Sequence, residues 1–451
     1  MTSAAVSPSA ATQPPTRKQV VSWGLWDWGS AAFNAVILTF VFSVYLVQGV
    51  AGLDENNKCA TADCIESGAT YYSLALGVAG LFIALLAPVT GQRADAGGHR
   101  KRNLGVWTGL IVLSMLALFF VKDASSYFWI GAALLGIASV FASFAEVSYS
   151  AMMRQISTPA TIGRVSAFGW SMGYFGGIVL LLISYVGFIA GDGDTRGLFA
   201  VTTEGGLNIR IVAVIAAIWF AVSALPVLFA VPETPGLPKE KRVGFFASYR
   251  LLFQQIRELW HTDRNSVFFL LASALFRDGL AAVFTLGAVL AVDVYELTAA
   301  NVLIFGIAAN VVSAIGALTA GRFDDRVGPK KVIIVSLAGL VVTALILLFV
   351  SGPTMFWIFG LVLTLFVGPA QSSARTFLAR VSPVGREGQM FGLYTTTGRA
   401  VSFLAPLLFS AFSAIGGTRY GILGIALVLL AGLVAMLFVK PAVDKSLTSA
   451  T

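Results

Sequence analysis

The chain has 451 residues, of which 57% are hydrophobic and only 12% are charged, and its formal net charge is +8. A soluble domain could not bury so much apolar surface, and apolar runs of about 18 or more residues require a bilayer. The positive charges lie in short segments between apolar runs and not on the face of a soluble basic module. We therefore expect the lipid bilayer as a partner and exclude nucleic acid.

The chain begins with an uncharged stretch rich in Ser, Ala, Thr and Pro, a composition typical of a disordered tail. Twelve apolar runs follow, each long enough to cross the roughly 30 Å of hydrocarbon in a bilayer. The first is too long for a signal-peptide core and lacks a cleavage site, so we expect it to be retained. The predicted spans are residues 23–49, 70–90, 104–121, 126–151, 162–189, 209–231, 266–292, 299–320, 332–350, 354–378, 389–414 and 420–439.

This pattern predicts an all-α membrane protein with two pseudo-symmetric six-helix bundles joined by a polar linker. The expected ranges are 1–22 for a disordered cytoplasmic tail, 23–231 for the N-terminal bundle, 232–265 for the linker, 266–439 for the C-terminal bundle and 440–451 for a second cytoplasmic tail.

Within the linker, apolar residues recur at helical spacing with Arg250 and Arg257 between them. This periodicity predicts an amphipathic helix that lies on the inner membrane surface and tethers the two bundles, although a partner-binding helix would show the same pattern. Its apolar residues are Phe245, Tyr249, Leu252, Phe253, Ile256, Leu259 and Trp260.

The distribution of Lys and Arg predicts the orientation of the chain, because these residues are in excess in cytoplasmic loops. With both termini in the cytoplasm, the outer face of the membrane would carry only Lys58, Lys122, Arg196, Arg210 and Arg419. The remaining loop cations, more than three times as many, would lie inside. We therefore expect a multi-pass protein of the cell (plasma) membrane with cytoplasmic termini.

The only two cysteines, Cys59 and Cys64, fall together in the first predicted outer loop. On an oxidising side of the membrane they would close a small structural disulfide, and the alternative is two free thiols. An isolated pair lacks the wider framework of a metal site, so we expect no metal and no other cofactor.

A polar loop occurs at matching places in the two apolar halves of the chain. Each copy reads glycine, acid, glycine and basic residue at the same offsets. We expect each acid to cap the N-terminus of a neighbouring helix and the basic residues to pair across the seam between the halves, so that the loops hold an inner gate shut. The residues concerned are Gly91, Asp95, Gly98 and Arg100 in the first copy, and Gly321, Asp325, Gly328 and Lys330 in the second.

The correspondence between the halves extends beyond this loop. A constant offset of 225 residues aligns the fourth and fifth spans with the tenth and eleventh, and it places Glu146 on Gln371 and Gly163 on Gly388. Transporters built from repeats bind their cargo near the midplane, between the repeats. We therefore expect a binding site there.

Charged side chains inside the spans are the main candidates for this site, because each costs roughly 2.5–3.5 kcal/mol at the centre of a spanning helix. We expect Arg277 or Arg399 to bind an anionic group of the cargo, and Glu146 to carry a proton. Asp278 should stay ionised if it pairs with Arg277. The alternative is that these residues only pair with one another as internal struts. The charged candidates are Asp27, Glu146, Arg277, Asp278, Arg375 and Arg399.

Neutral polar side chains add to the expected lining of the site. Asn34, Tyr174 and Asn310 lie near the centres of the first, fifth and eighth spans. Hydrogen bonds between helices are the alternative role for each of them.

The repeated loop resembles the signature of the major facilitator superfamily. Three further segments are similar to motifs of one of its subgroups, the vacuolar effluxer (autophagy-related) family and its bacterial relatives: Trp26–Phe33, Gly169–Gly177, and Gln371–Arg375 followed by Phe391–Tyr394. Gly29 and Ala374 depart from the family pattern. The resemblance implies a major facilitator fold, and fungal members of the family are associated with amino-acid efflux from the vacuole.

Together these observations predict a secondary transporter that exports a small charged or zwitterionic, amino-acid-like solute by alternating access, coupled to protons. No Gly-rich phosphate loop followed by Lys and Ser or Thr is present to bind ATP. The alternatives are an exporter of amphipathic compounds such as lipids or drugs, and a sensor that does not transport. Both histidines lie in predicted inner loops, so we expect no enzyme activity, and we expect a monomer.

Overall fold

The computed structural model describes residues 15–50, 62–233 and 245–442. Among them, twelve helical segments are long and apolar enough to cross a membrane, and each predicted span coincides with one of them to within a few residues. The predicted all-α membrane fold is therefore confirmed. The spans observed are Arg17–Val47, Thr70–Gly97, Arg100–Phe120, Ser125–Ile156, Ile162–Ile189, Glu204–Ala230, Arg264–Asp293, Ile304–Val327, Pro329–Phe349, Pro353–Val381, Glu387–Gly416 and Thr418–Phe438.

Fifteen α-helices build the described part of the chain, and short 3-10 and π-helical segments extend several of them. A two-residue antiparallel hairpin, β1 (Thr195–Arg196) and β2 (Val201–Thr202), lies between the fifth and sixth spans. The α-helices are Arg17–Ala31 (α1), Phe42–Val44 (α2), Ala62–Gly97 (α3), Arg100–Ala117 (α4), Phe128–Ala151 (α5), Ile162–Ser184 (α6), Leu207–Ala230 (α7), Phe245–Thr262 (α8), Arg264–Asp293 (α9), Ala299–Val327 (α10), Pro329–Phe349 (α11), Pro353–Val381 (α12), Glu387–Val401 (α13), Leu404–Gly416 (α14) and Gly421–Phe438 (α15).

The helices pack as two sets, which we call the N-half (residues 15–233) and the C-half (residues 264–442). In the N-half, α1 packs on α6 and α7, and α5 packs on α3 and α4. In the C-half, α12 packs on α10 and α11, and α15 packs on α9, α11 and α14. The helix α8 lies between the halves in sequence and contacts both α3 and α9, as a tether would.

The two halves meet along a seam near one end of the molecule. We call this the basic end, because arginines at or beside the turns between spans, among them Arg100, Arg154 and Arg164, form ion pairs there. The cross-seam pairs are α3 with α13, α6 with α10 and α12, and α5 with α13. The outer part of the eleventh span, α14, instead packs on α9 and α15 of its own half. The halves therefore touch at the basic end and diverge toward the other end.

Glycines allow the closest approach of helices across the seam. A Cβ atom added to Gly91 of α3 would lie 2.0 Å from the carbonyl oxygen of Gly388 in α13. One added to Gly163 of α6 would lie 2.9 Å from the carbonyl oxygen of Gly321 in α10. Because real Cβ atoms do not approach backbone so closely, both contacts require glycine. Each half thus contributes one glycine of the repeated loop to the seam.

The backbone is interrupted where the spans line the space between the halves. Pro88 lacks an N–H and so leaves the carbonyl of Ala84 free, and the hydroxyl of Thr396 donates to that carbonyl across the seam at 2.8 Å. The eleventh span breaks at Ser402 and Phe403, between α13 and α14. Non-helical backbone at mid-depth of a membrane occurs where it lines a cavity or is covered by protein.

The seam contact predicts the effect of a single methyl group. Gly91→Ala should lower the free energy of unfolding by about 1–3 kcal/mol, because the new Cβ would force the Gly388 backbone away. Thermal unfolding in detergent measures this change. Gly80→Ala on the same helix is the control, since nothing lies within 4 Å of its Cβ position. Equal melting temperatures for the two variants would contradict the prediction.

Candidate functional site

The two acids of the repeated loop cap helix N-termini, as the sequence predicts, and the helices that they cap belong to the opposite half. Asp95 accepts hydrogen bonds from the backbone N–H groups of Gly388 (3.0 Å) and Gln389 (2.9 Å), at the N-terminus of α13. Asp325 accepts from the N–H groups of Gly163 (2.8 Å) and Arg164 (3.3 Å), at the N-terminus of α6. A carboxylate is favourable at both places because a helix N-terminus carries partial positive charge.

The basic residues of the two loop copies are used differently. Arg100 bonds to Asp95 through Nε at 2.8 Å and reaches Glu387 of the C-half at 2.6 Å, so it pairs across the seam. Lys330 does not, because its ammonium donates to the carbonyl of Leu437 within the C-half. The prediction that it pairs across the seam is wrong. Its place is taken by Arg164 of the N-half, which the pattern did not indicate and which lies 2.9 Å from Asp325 across the seam. Arg380 lies 3.7 Å from Asp325 in the same half and donates to the carbonyl of Pro159 across the seam at 3.3 Å.

The second glycine of each copy ends a helix instead of joining the seam. Gly98 has φ of +66° and Gly328 has φ of +87°, and both values lie in the region that favours glycine. Gly98 separates α3 from α4, and Gly328 separates α10 from α11, so each marks a tight turn between two spans.

Arg375 of the C-half inserts into the N-half. Its Nη1 lies 3.4 Å from the carboxylate of Asp27, and its Nη2 donates to the carbonyl of Ser166 at 2.7 Å. The guanidinium carbon lies 5.1–5.6 Å from three ring centroids, those of Trp23, Tyr149 and Trp170. Asp27 also accepts from the hydroxyl of Tyr149 at 3.1 Å. The ion pair therefore joins the halves inside an aromatic cage.

Glu146 and Arg399 point into the space between the halves without a direct partner. Both side chains are exposed, although the residues on either side of Glu146 are buried. Among the described residues, neither side chain has a hydrogen-bond or ion-pair partner. They lie within electrostatic range of each other, with Glu146 on α5 and Arg399 on α13. Because these helices belong to different halves, the two charges face a common cleft and not the lipid.

Arg277 and Asp278 are neighbours in sequence but point to different structures. Arg277 donates to the carbonyl of Tyr394 at 2.9 Å, and its guanidinium stacks over that ring at 3.8 Å. It lies within electrostatic range of Arg399. Asp278 is buried and accepts from the backbone N–H of Ala405 at 2.7 Å. It therefore caps α14 beyond the break in the eleventh span, and its pairing with Arg277, which the sequence suggests, does not occur.

The neutral candidates divide between the cleft and the helices themselves. The hydroxyl of Tyr174 donates to Gln371 at 3.0 Å, which links the halves beside the Arg375 cage. Asn310 donates to the carbonyl of Gly306 in its own helix at 2.7 Å, so it faces the backbone. Asn34 is exposed in the π-helical part of the first span.

The predicted disulfide falls on a part of the chain that is not described. Cys59 lies outside the described residues, and so does the side chain of Cys64. Within the described ranges, no group of three or more His, Cys, Asp or Glu side chains is placed to hold a metal ion.

Sequence reasoning missed the aromatic and backbone partners of the charged residues. Trp23, Tyr149 and Trp170 form the cage around Arg375, and Tyr394 holds Arg277. Such residues are frequent in membrane spans, and their role depends on which side chain faces them, so no spacing rule marks them. Glu387 had one signal, its position directly before Gly388, which the internal repeat aligns with Gly163.

Two sets of spans that enclose a charged cleft, and meet through a repeated loop at one end, define a transporter of the major facilitator superfamily. The family model described as "Vacuole effluxer Atg22 like" matches residues 15–450. The chain belongs to this family.

Relatives and solved structures agree with this assignment. A Bacillus subtilis protein described as the uncharacterized MFS-type transporter YxiO is 23% identical over 423 residues, which are 94% of this chain and 95% of that protein. Autophagy-related protein 22-1 of Aspergillus fumigatus is 25% identical over 296 residues, which are 60% of this chain and 46% of that protein. The match therefore spans about half of the fungal relative.

Solved structures share the fold at low sequence identity. The transporter FucP in the outward conformation superposes with a TM-score of 0.69 and 14% identity, covering 94% of this chain and 98% of FucP. A bacterial homologue of the iron transporter ferroportin in the outward-facing state gives a TM-score of 0.64 and 15% identity, covering 93% and 98% of the two chains. The predicted superfamily and family resemblance are confirmed.

Because Asp278 caps α14, we expect it to contribute to stability, although the sequence alone places it in the cargo site. Asp278→Ala should lower the free energy of unfolding by about 1–2 kcal/mol, because it removes the acceptor for the Ala405 N–H. Asp278→Asn retains an acceptor, so its free energy of unfolding should fall by less. Thermal unfolding in detergent measures both, with Asp293→Ala at the exposed end of α9 as the control. An unchanged melting temperature for Asp278→Ala would argue against the cap.

Proposed function

We propose that this protein is a secondary active transporter that exports a small charged or zwitterionic solute, amino-acid-like in its chemistry, by alternating access. The observation that carries the proposal is the pair Glu146 and Arg399. Unpaired charges inside a membrane span are expensive, and they are retained where they line a wet pathway for a solute or ion. Here two opposite charges from opposite halves face the same cleft.

The cleft has separate places for an anion and for a proton. Arg399 has free guanidinium donors, and a guanidinium binds a carboxylate through two parallel hydrogen bonds. Arg277 lies nearby and adds positive charge, although Tyr394 holds its guanidinium. We assign the anionic group of the solute to Arg399, with Arg277 in support. We assign the proton to Glu146, whose carboxylate no cation neutralises by direct contact.

Alternating access follows from where the halves touch. We take the basic end as cytoplasmic, because arginines concentrate there. The structure then corresponds to an outward-facing state, with the seam closed by the Asp95 and Asp325 caps and by the Arg100–Glu387 pair. An inward-facing state requires these contacts to break and the opposite ends of the halves to close. Rocking of two repeats around a fixed site achieves this exchange.

An apolar cavity favours a second candidate, export of amphipathic compounds. Its volume is about 60 Å³, and it lies within the C-half. Tyr295, Phe305 and Phe356 contribute to its lining, which is almost wholly hydrocarbon. A small apolar group would fit there, and the residues that line the cavity carry no charge to bind a zwitterion. Flux of a labelled amino acid and of a labelled amphiphile, measured in the same proteoliposomes, separates the two candidates.

The proton role of Glu146 can be tested by transport. Glu146→Gln should abolish uptake driven by a proton gradient and leave counterflow exchange intact, because exchange needs no net proton movement. Proteoliposomes with and without an imposed gradient give both rates. Glu204→Gln, at the exposed first residue of the sixth span, is the control. Driven uptake at the normal rate in Glu146→Gln would refute this role.

The anion role of Arg399 can be tested by binding. Arg399→Ala should weaken solute binding by about 1.5–3 kcal/mol, or roughly 10- to 150-fold in Kd, because a charge-assisted hydrogen bond is lost. Arg399→Lys keeps the charge but not the bidentate geometry, so its affinity for the solute should lie between those of wild type and Arg399→Ala. Titration of the purified variants measures the affinities. An unchanged Kd in Arg399→Ala would count against the assignment.

A further inference from the structure

The cage around Arg375 is built entirely by the N-half, while its occupant comes from the C-half. Helix α1 supplies Trp23 and Asp27, helix α5 supplies Tyr149, and helix α6 supplies Ser166 and Trp170. The two hydrogen bonds to Ser166 are 3.2 Å from Nε to the hydroxyl and 2.7 Å from Nη2 to the carbonyl. The guanidinium of Arg375 is the charged group that the C-half places in this cage.

The cage is lined by groups that bind organic cations: aromatic faces, a carboxylate and a carbonyl oxygen. Aromatic faces attract a cation through their negative quadrupole, and three rings surround this one. The carboxylate of Asp27 neutralises the charge, and the Ser166 carbonyl accepts a donor hydrogen. Arg375 fits closely into the cage, because a Cβ atom added to Gly169 would lie 2.9 Å from Nη2 of Arg375 and 2.6 Å from the Trp23 ring.

Opening the seam at the basic end must empty this cage. Arg375 is part of α12 and moves with the C-half, whereas all the wall residues move with the N-half. The cage is then left with the carboxylate of Asp27 and no counter-charge, which is costly in a poorly hydrated site. A proton or an incoming cation can compensate it. Trp170 contributes its ring face to such a cation and not a hydrogen bond, because its Nε1–H and a guanidinium or ammonium group are all donors.

We propose that this cage is a binding site for guanidinium or primary ammonium solutes that enter from the basic end, and that Arg375 is its tethered occupant in the present state. A guanidinium is preferred, because the cage already fits one. The site borders the Glu146–Arg399 cleft, since Asp27 lies within electrostatic range of Glu146, but it is lined by different side chains. The proposal rests on the alternating access proposed above, since only a transporter that opens at the basic end would expose the cage.

The test removes the tethered occupant and supplies a free one. In purified full-length Arg375→Ala protein, methylguanidinium should raise the melting temperature in a saturable way, as RT ln(1 + [L]/Kd) requires. Methylammonium should bind about tenfold more weakly, and neutral N-methylurea should not bind. The double variant Asp27→Asn/Arg375→Ala should lose the response, because the counter-charge is gone.

Two controls separate the cage from general effects of the ligand. Wild-type protein should show no stabilisation by methylguanidinium in this state, because Arg375 already fills the cage. Arg322→Ala removes an exposed arginine and leaves no caged space, so it should also show none. Equal shifts in Arg322→Ala and Arg375→Ala, or equal shifts for methylguanidinium and N-methylurea, would overturn the proposal.

The proposal also stays testable if Arg375→Ala does not fold unaided. The quantity measured is then the yield of folded protein after solubilisation with and without methylguanidinium, and no recovery would overturn the proposal. Flux is a separate readout. Rescue of Arg375→Ala without any solute flux in wild type would leave the cage established and the proposed transport function wrong. Solute flux in wild type without rescue of Arg375→Ala would support the proposed transport function and overturn the cage.

Discussion

The compensation of charge inside the membrane is the constraint on which the rest of this structure depends. Each buried ionised group is costly in a bilayer, and several of those described find partners across the seam between the halves. Asp95 and Asp325 cap helices of the opposite half, and Arg375 enters the N-half to meet Asp27. Polar contacts therefore join the halves at several points of the seam. Such contacts can exchange with water, which a permanently packed apolar seam could not do.

The internal duplication explains the arrangement of the seam, and its departures mark the functional groups. Gly91 meets Gly388 as Gly321 meets Gly163, and the two acids act alike. The symmetry fails at Glu146, which the repeat places on Gln371. Glu146 faces the cleft as a free carboxylate, whereas Gln371 is bonded to Tyr174. In the transport cycle proposed above, the duplicated frame would supply the gate, and the unmatched charges would supply the binding site.

The contrast between Arg375 and Arg399 shows how context assigns function to one residue type. Both lie in the spans of the C-half, and both would be costly if they faced lipid. Arg375 has a carboxylate, a carbonyl, a hydroxyl and three rings as partners, so its charge is fully compensated. Arg399 is exposed to the cleft, and its side chain has no direct partner among the residues that the structure describes. The first closes the floor of the cleft, and the second remains available to a solute.

The twelve spans, the repeat and the acid caps could all be predicted from the sequence, because hydrophobic length and glycine–acid spacing are local properties of the chain. The partners of Asp278, Lys330 and Arg375 could not, since each lies on a helix far away in sequence. Adjacent residues on a helix point about 100° apart, so Asp278 reaches α14 while Arg277 reaches Tyr394. Local patterning determined which residues enter the membrane, and only the packing of the two halves decided which charges are paired and which are left for a solute.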